Sequence, residues 1–177
     1  MSTAVNAAKK LKSAADEAYT LHPKSCSHAV VHVMKKYIPG QEFANANDLL
    51  LHLELNPRWL RVTVGELEKY ANEGALTVGG LAELPNGHVV VVYPGKAKMA
   101  GGYTYKNKKT GKIETVGPRG PYALVMSTSM STQPDPWPGS MSKGDKTVWD
   151  PWGNNEKFSK VVFWRFDPTV MKLAPAC

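Results

Sequence analysis

The hydrophobic pattern of this chain changes its period once, near residue 75, and that change constrains the fold more than any other feature. Before it, apolar residues recur every three or four positions, which is the spacing of helices with one buried face. After it, the pattern is typical of strands, and residues 89–92 form an unbroken run of valines, as in a strand buried on both faces. Because helices come first and strands second, the sequence predicts an α+β fold in which N-terminal helices pack on a C-terminal antiparallel β-sheet.

Proline, glycine and capping residues set the expected limits of these elements. Pro23 ends the first helix, Ser25 caps the second, and Thr63 opens a capping box. The predicted helices cover residues 3–21, 26–37, 44–55 and 64–72. The predicted strands cover residues 76–78, 87–93, 103–106, 112–116, 122–126, 147–149 and 160–166. Residues 127–147, which are rich in Ser, Thr, Pro and Gly, are predicted to form a long surface loop.

Length and cysteine content predict one domain that does not depend on disulfide bonds. A chain of 177 residues buries enough apolar surface for a single domain over residues 1–177. The only cysteines are Cys26 and Cys177, which make no disulfide framework, so we expect Cys26 to be free. No apolar run approaches the roughly 20 residues needed to cross a bilayer, so no membrane span is predicted.

The ends and the charge of the chain bear on where it acts. Residues 1–21 are polar and alanine-rich without the apolar centre of a secretory signal, so we expect synthesis in the cytoplasm and export by another route. The formal net charge of +7 favours an anionic partner. Nucleic acid, an anionic lipid face and a polyanionic cell wall all fit that charge.

Cys26 and His88 are the two residues that point to chemistry. Cys26 lies directly ahead of an apolar helical stretch, where the partial positive charge and free N–H groups of a helix N-terminus favour the thiolate. His88 precedes the valine strand, where an imidazole completes an ion pair with the thiolate. The pair predicts a cysteine nucleophile of lowered pKa with a histidine base. Taken singly, such residues are more often a small buried hydrophobe and a structural strand-end histidine.

Three segments resemble the NlpC/P60 branch of the papain-like cysteine peptidases: Cys26-Ser27 opening a helix, residues 44–49, and Gly87-His88-Val89 opening a strand. The likeness is closest to the type VI secretion amidase effectors, bacterial toxins that cut peptidoglycan peptides in the periplasm of rival cells. It implies a papain-like fold and a peptidoglycan amidase without a cofactor. It also implies peptidoglycan stem peptides as substrates, a cognate immunity protein as partner, no nucleic-acid partner, and action in the periplasm of a target bacterium.

The resemblance implies roles for residues beyond the Cys–His pair. It calls for a polar residue after the histidine strand that orients the imidazole, for which Ser127 and Ser129 are candidates. Tyr19 is the candidate side-chain donor to the oxyanion, beside the backbone N–H of the nucleophile. Asn47 and Asp48 would border the substrate groove, although helix capping is their simplest role.

Two functions of other classes stay open at the level of sequence. The first is a nucleic-acid-binding module, which the net charge and the scattered aromatic residues favour, although no known signature is present. The second is a metal-binding domain, whose ligands would be His22, Cys26, His28 and His32. Thiol alkylation separates these functions, because a catalytic thiol reacts fast and a metal ligand reacts only after chelation.

Overall fold

The structure is a computed structural model that describes residues 2–129 and 137–170, and this part of the chain contains five α-helices and eight strands. The α-helices are α1 (Thr3–Leu21), α2 (Cys26–Lys35), α3 (Ala46–Leu55), α4 (Leu67–Asn72) and α5 (Asn155–Phe158). The strands are β1 (Trp59–Val62), β2 (Thr77–Leu81), β3 (His88–Ala100), β4 (Tyr103–Lys106), β5 (Ile113–Val116), β6 (Arg119–Ser127), β7 (Ser142–Thr147) and β8 (Val162–Phe166). Two short 3₁₀ turns, at Val64–Glu66 and Pro138–Ser140, complete the secondary structure of the described residues.

Six strands form one sheet in the order β1-β8-β2-β3-β6-β7, and β4 and β5 form a separate hairpin. Every strand pairing within the described residues is antiparallel. Helices α1, α2 and α4 pack against β3, the strand that holds the valine run. The fold is therefore α+β, as the sequence predicts.

The core forms where the helices meet β3. All four valines at positions 89–92 are fully buried, which confirms the prediction of a strand covered on both faces. Leu11 of α1, Val33 of α2 and Leu67 of α4 are also fully buried, so each of these helices contributes an apolar face to the same core.

The predicted start of α2 is confirmed, whereas α3 begins two residues later than predicted and residues 64–66 form a 3₁₀ turn ahead of α4. The Ser25 hydroxyl accepts the backbone N–H of His28 at 3.3 Å, which fixes the first turn of α2. Asn45 caps α3 by accepting the Asp48 N–H at 3.0 Å. The capping box predicted at Thr63 is present, and it opens the 3₁₀ turn that leads into α4.

The prediction of one long loop over residues 127–147 is wrong at both ends. Ser127 is the last residue of β6, and Ser142–Thr147 form β7, which pairs with β6 at the edge of the sheet. The predicted strand 147–149 is also wrong, because the chain turns directly after Thr147. The polar sequence of β7 has little intrinsic strand preference, so its conformation comes from its pairing with β6. Residues 130–136 lie outside the described residues.

Two further differences concern strands that the sequence pattern does not mark. β1 was not predicted, since it has only four residues between Pro57 and the capping box, and it exists through its pairing with β8. β3 runs on to Ala100, beyond the predicted end at residue 93. An irregularity in its pairing with β6 follows Tyr93 and lets the strand continue past the Pro94-Gly95 pair.

Candidate active site around Cys26 and His88

Cys26 is the first residue of α2, and its side chain is 6% exposed. The backbone N–H groups of Cys26 and Ser27 belong to the first helical turn, where no carbonyl of the helix accepts them. Both hydrogen-bond towards the thiol, and so does the N–H of Val89 in β3. The nucleophile predicted from sequence therefore lies against the residue that follows His88.

Burial decides the protonation state of the thiol. It raises the pKa of Cys26 above its ordinary value of 9.0, and the hydrogen bonds from Val89, Ser27 and Cys26 offset only part of that rise. The sequence predicts a thiol pKa below that of a free cysteine, and this prediction is wrong for the structure described here. The helix N-terminus acts in the expected direction, but removal of the thiol from water is the larger effect.

His88 begins β3, opposite Leu81 in β2, and is half-buried as a residue. Its Nε2 lies 2.9 Å from the hydroxyl of Ser127. That hydroxyl donates its only proton to the carbonyl oxygen of Ser140 at 2.7 Å, so it must accept from the imidazole. His88 is therefore the Nε2–H tautomer, and Nδ1 carries the free lone pair of the neutral ring.

The same burial affects the imidazole in the opposite direction. It lowers the pKa of His88 from 6.5 to about 4, so the ring is neutral at neutral pH. The ring of Trp152 packs edge-on against the imidazole with 5.5 Å between centroids and contributes to that burial. The resting pair is a neutral thiol and a neutral imidazole, in place of the thiolate–imidazolium pair expected from sequence.

Ser127 is the candidate of the two serines that the structure brings to His88. It ends β6, is 1% exposed, and bridges the imidazole to the 3₁₀ turn at Pro138–Ser140. Ser129 is half-buried and has no hydrogen bond to another described residue. The contribution of Ser140 was missed from sequence, because a backbone carbonyl carries no signal in residue type.

Asn47 holds the loop that leads into His88. Its amide donates to the Glu83 carbonyl at 2.9 Å and accepts the Glu83 N–H at 3.2 Å. A β-carbon at Gly87 would lie 2.3 Å from the Asn47 Oδ1 and 2.7 Å from the Leu81 carbonyl oxygen, so only glycine fits there. These contacts make Asn47 a positioning residue for the loop 82–87, and its role in substrate binding stays a prediction.

Asp48 and Tyr19, the other two candidates, have no described contact with Cys26 or His88. The Asp48 carboxylate accepts the Asn45 side-chain amide at 2.9 Å, so Asp48 is part of the α3 cap. Tyr19 is half-buried against the core on α1, and its hydroxyl forms no hydrogen bond to another described residue. Their predicted roles as groove residue and oxyanion donor stay predictions.

The histidines near Cys26 form a cluster of their own. The ring of His22 lies 5.9 Å from that of His28 and 5.2 Å from that of His32, between centroids. His28 also stacks on Phe43 at 4.0 Å. Within residues 2–129 and 137–170, no group of three or more His, Cys, Asp or Glu side chains is arranged to hold a metal ion. The predicted fourth ligand, Cys26, hydrogen-bonds instead with the backbone of β3.

Asp150 supports the region behind Ser127. Its carboxylate accepts the Gly101 N–H at 2.9 Å, the Tyr103 hydroxyl at 3.2 Å, and the backbone N–H and hydroxyl of Thr147 at 2.8 and 2.9 Å. Its carbonyl oxygen accepts the Trp137 indole N–H at 2.7 Å. Trp137 is therefore anchored in its loop, and it precedes the turn whose Ser140 carbonyl fixes Ser127.

No known protein-family model matches this chain, and a search of curated proteins finds no match either. No helix in the described part of the chain is long and apolar enough to cross a membrane. Cys177 lies outside the described residues. Cys26, which lies within them, is a free cysteine.

Proposed function

We propose that this protein is a cysteine hydrolase that cuts amide bonds, with Cys26 as nucleophile and His88 as general base. One observation carries the proposal. The thiol lies at a helix N-terminus against the N–H of Val89, the residue that follows His88, whose Nε2–H is held by Ser127 and whose Nδ1 has no hydrogen-bond partner among the described residues. These are the parts that nucleophilic acyl transfer requires.

The proposed reaction starts from the neutral pair. Nδ1 of His88 takes the thiol proton as the sulfur of Cys26 attacks the amide carbonyl carbon. The oxyanion forms beside the backbone N–H of Cys26. This N–H lies in the first helical turn and donates no hydrogen bond to a carbonyl of the helix. The imidazolium then gives its proton to the leaving amine, and a thioester remains on Cys26. Water, activated by the neutral His88, hydrolyses the thioester and restores the thiol.

We further propose peptidoglycan stem peptides as the substrate and a cognate immunity protein as the inhibitor. The support is the resemblance carried by Cys26-Ser27, residues 44–49 and Gly87-His88-Val89. The net charge of +7 also suits an anionic cell wall. We also propose that the helices and the sheet have a papain-like arrangement.

The test is hydrolysis of purified peptidoglycan sacculi by wild type, Cys26→Ala and the matched control Cys177→Ser, with the released muropeptides identified. We expect the control to release fragments at the wild-type rate and Cys26→Ala to release none. Cys26→Ala removes one small group, so its thermal unfolding should change little. Release of the same fragments by a folded Cys26→Ala would end the proposal.

The proposed site of action is the periplasm of a target bacterium. Expression in the cytoplasm should leave bacteria unharmed, and the same chain behind a periplasmic signal should lyse them, because the substrate lies outside the inner membrane. Cys26→Ala is the control in both compartments. Equal killing from both compartments would point to a target other than the wall.

A further inference from the structure

A groove of about 600 Å³ lies between α3 and the start of β1, and neither Cys26 nor His88 lines it. Its volume is in the range of sites that bind small molecules or short peptide ends. The groove is lined by Asp48, Leu51, His52, Leu55, Asn56, Pro57 and Arg58.

Arg58 is the arginine of this groove, and it has no counter-ion among the described residues. Its guanidinium stacks over the ring of Phe166, 4.6 Å from the centroid, which fixes the plane of the group. Its Nε is buried and has no hydrogen-bond partner. The cost of burying such a donor is recovered when an acceptor binds it.

Two other arginines at this end of the sheet have a carboxylate partner, which Arg58 lacks among the described residues. Arg61 donates to both carboxylate oxygens of Glu54, at 3.0 and 2.8 Å. Arg165 lies 3.8 Å from the carboxylate of Asp167. Arg58 has no such carboxylate among the described residues, and it lines the groove as a half-buried residue whose guanidinium has no partner of opposite charge there.

The walls of the groove add apolar surface and one free amide. Leu51 and Leu55 are 58% and 72% exposed, one turn apart on α3. The Asn56 Oδ1 accepts the Arg58 backbone N–H at 2.9 Å, while its amide nitrogen donates to no described residue. Asp48 lies in the first turn of α3, and Leu55, the residue of the helix nearest to Arg58 in sequence, ends it. At a rise of ~1.5 Å per residue the two are about 10 Å apart along the helix axis.

We propose that this groove binds the C-terminal end of a peptide. The terminal carboxylate pairs with the guanidinium of Arg58, which matches a carboxylate in shape and charge. The last apolar side chain packs on Leu51 and Leu55, and the Asn56 amide donates to a peptide carbonyl. A free carboxylate beside an apolar side chain is thus the ligand chemistry, and the site is separate from the proposed catalytic pair.

The test is NMR titration of ¹⁵N-labelled protein with N-acetyl-leucine and with N-acetyl-leucinamide, which differ only in the terminal charge. N-acetyl-leucine should shift the Arg58 side-chain Nε–H signal and the α3 amides. N-acetyl-leucinamide should bind at least about tenfold more weakly than N-acetyl-leucine, since a charge-assisted hydrogen bond is lost. Equal binding of the two would overturn the proposal. Equally tight binding of octanoate would assign the groove to a fatty acid and overturn the peptide part.

Variants locate the binding. Arg58→Met should lose the affinity for N-acetyl-leucine, and Arg61→Met, the matched control whose arginine is paired with Glu54, should keep it. Unchanged affinity in Arg58→Met, or equal loss in both variants, would overturn the proposal. Should Arg58→Met fail to fold, Arg58→Lys decides: it keeps the charge but loses the planar fork, so its affinity should fall at least about threefold. Wild-type affinity in Arg58→Lys would overturn the assignment.

Discussion

At the scale of single residues, the chemistry depends on where the protons of Cys26 and His88 reside. Burial raises the pKa of the thiol and lowers that of the imidazole to about 4, so both groups are neutral at pH 7. In the proposed mechanism the base is therefore present without any ionisation, and the proton leaves the sulfur only during attack on the substrate. We therefore expect the thiol to react slowly with small electrophiles, while the proposed attack on a bound amide does not need a resting thiolate.

This pair predicts separate pH dependences for alkylation and turnover. Turnover should fall as the pH drops through about 4, because protonation of His88 removes the base. Alkylation of Cys26 by iodoacetamide at pH 7 should be slower than that of free cysteine, because the thiolate is scarcer when the pKa is raised. Rates of both reactions between pH 4 and 10 measure this.

His88→Ala is the informative variant for the same pair. It should lower turnover by about 10²–10⁴-fold through loss of the base. Its alkylation curve should stay close to that of wild type, since no imidazolium stabilises the resting thiolate. Fast alkylation at pH 6 that disappears in His88→Ala would instead reveal a thiolate–imidazolium pair and contradict the neutral state.

Ser127 gives a second prediction at this scale. Ser127→Ala removes the acceptor of the His88 Nε2–H and leaves the Ser140 carbonyl without its donor. We expect turnover to fall roughly tenfold or more with little change in KM, because about 1.5 kcal/mol of orienting hydrogen bond is lost. Steady-state kinetics of Ser127→Ala beside Ser129→Ala measures it. Equal activity of the two variants would remove Ser127 from the site.

The sequence patterns that mark the residues of the proposed site do not report their protonation. Cys26 and His88 are marked by their positions at a helix start and a strand start, and Ser127 by its place after a strand. The burial that sets the pKa values comes partly from Trp152, which lies 64 residues from His88 in the chain. Local patterns do not report such a contact.

At the scale of elements, the N-terminal turn of α3 governs the loop before β3. Asn47 binds both backbone groups of Glu83, so the helix and the loop are joined by a pair of hydrogen bonds that resembles a strand pairing. The loop ends at Gly87, directly ahead of His88. The position of the imidazole therefore depends on a helix that is remote in sequence.

Asn47→Ala tests this dependence, with Asp48→Asn as the control on the same helix turn. Loss of both bonds to Glu83 should loosen residues 82–87, which raises their amide hydrogen exchange and lowers turnover several-fold, while the rest of the fold keeps its protection. Asp48→Asn keeps an acceptor for Asn45 and should change neither quantity. Unchanged exchange in Asn47→Ala would contradict a positioning role.

Helices and strands were predicted correctly where neighbouring residues in the sequence determine them. They were missed where pairing with a distant strand determines them. The starts of α2 and α3 follow from Ser25 and Asn45, whose side chains satisfy first-turn N–H groups. β7 has the sequence Ser-Lys-Gly-Asp-Lys-Thr, and β1 has only four residues. Both owe their conformation to the ladder of a neighbouring strand, which becomes visible only when the sheet is assembled.

At the scale of the whole molecule, the buried pair links stability to pH. The pKa of His88 falls from 6.5 to about 4 on folding, so the unfolded chain binds more protons between these values. The free energy of unfolding should therefore decrease as the pH falls from 6.5 towards 4. About 3 kcal/mol is the upper limit of this decrease, because His88 as a residue is only half-buried. For Cys26, whose pKa is raised above 9.0, stability should decrease as the pH rises above about 9.

Urea unfolding of wild type, His88→Gln and Cys26→Ala as a function of pH measures both limbs. His88→Gln should weaken the acid limb only, to which His22 still contributes because burial lowers its pKa as well. Cys26→Ala should weaken the alkaline limb only, to which Tyr37 still contributes because burial raises its pKa. Identical pH dependence in wild type and His88→Gln would show that the imidazole titrates alike in the folded and unfolded chain.

The Asp150 carboxylate has a consequence for grafting and insertion. It fastens the start of the β4–β5 hairpin through Gly101 and Tyr103, while the turn at residues 107–112 lies beyond these anchors. A peptide tag inserted at the tip leaves the anchors in place, so the hairpin is a natural point of attachment for a label. A replacement that also removes Gly101 and Tyr103 would instead leave the buried Asp150 carboxylate short of two donors.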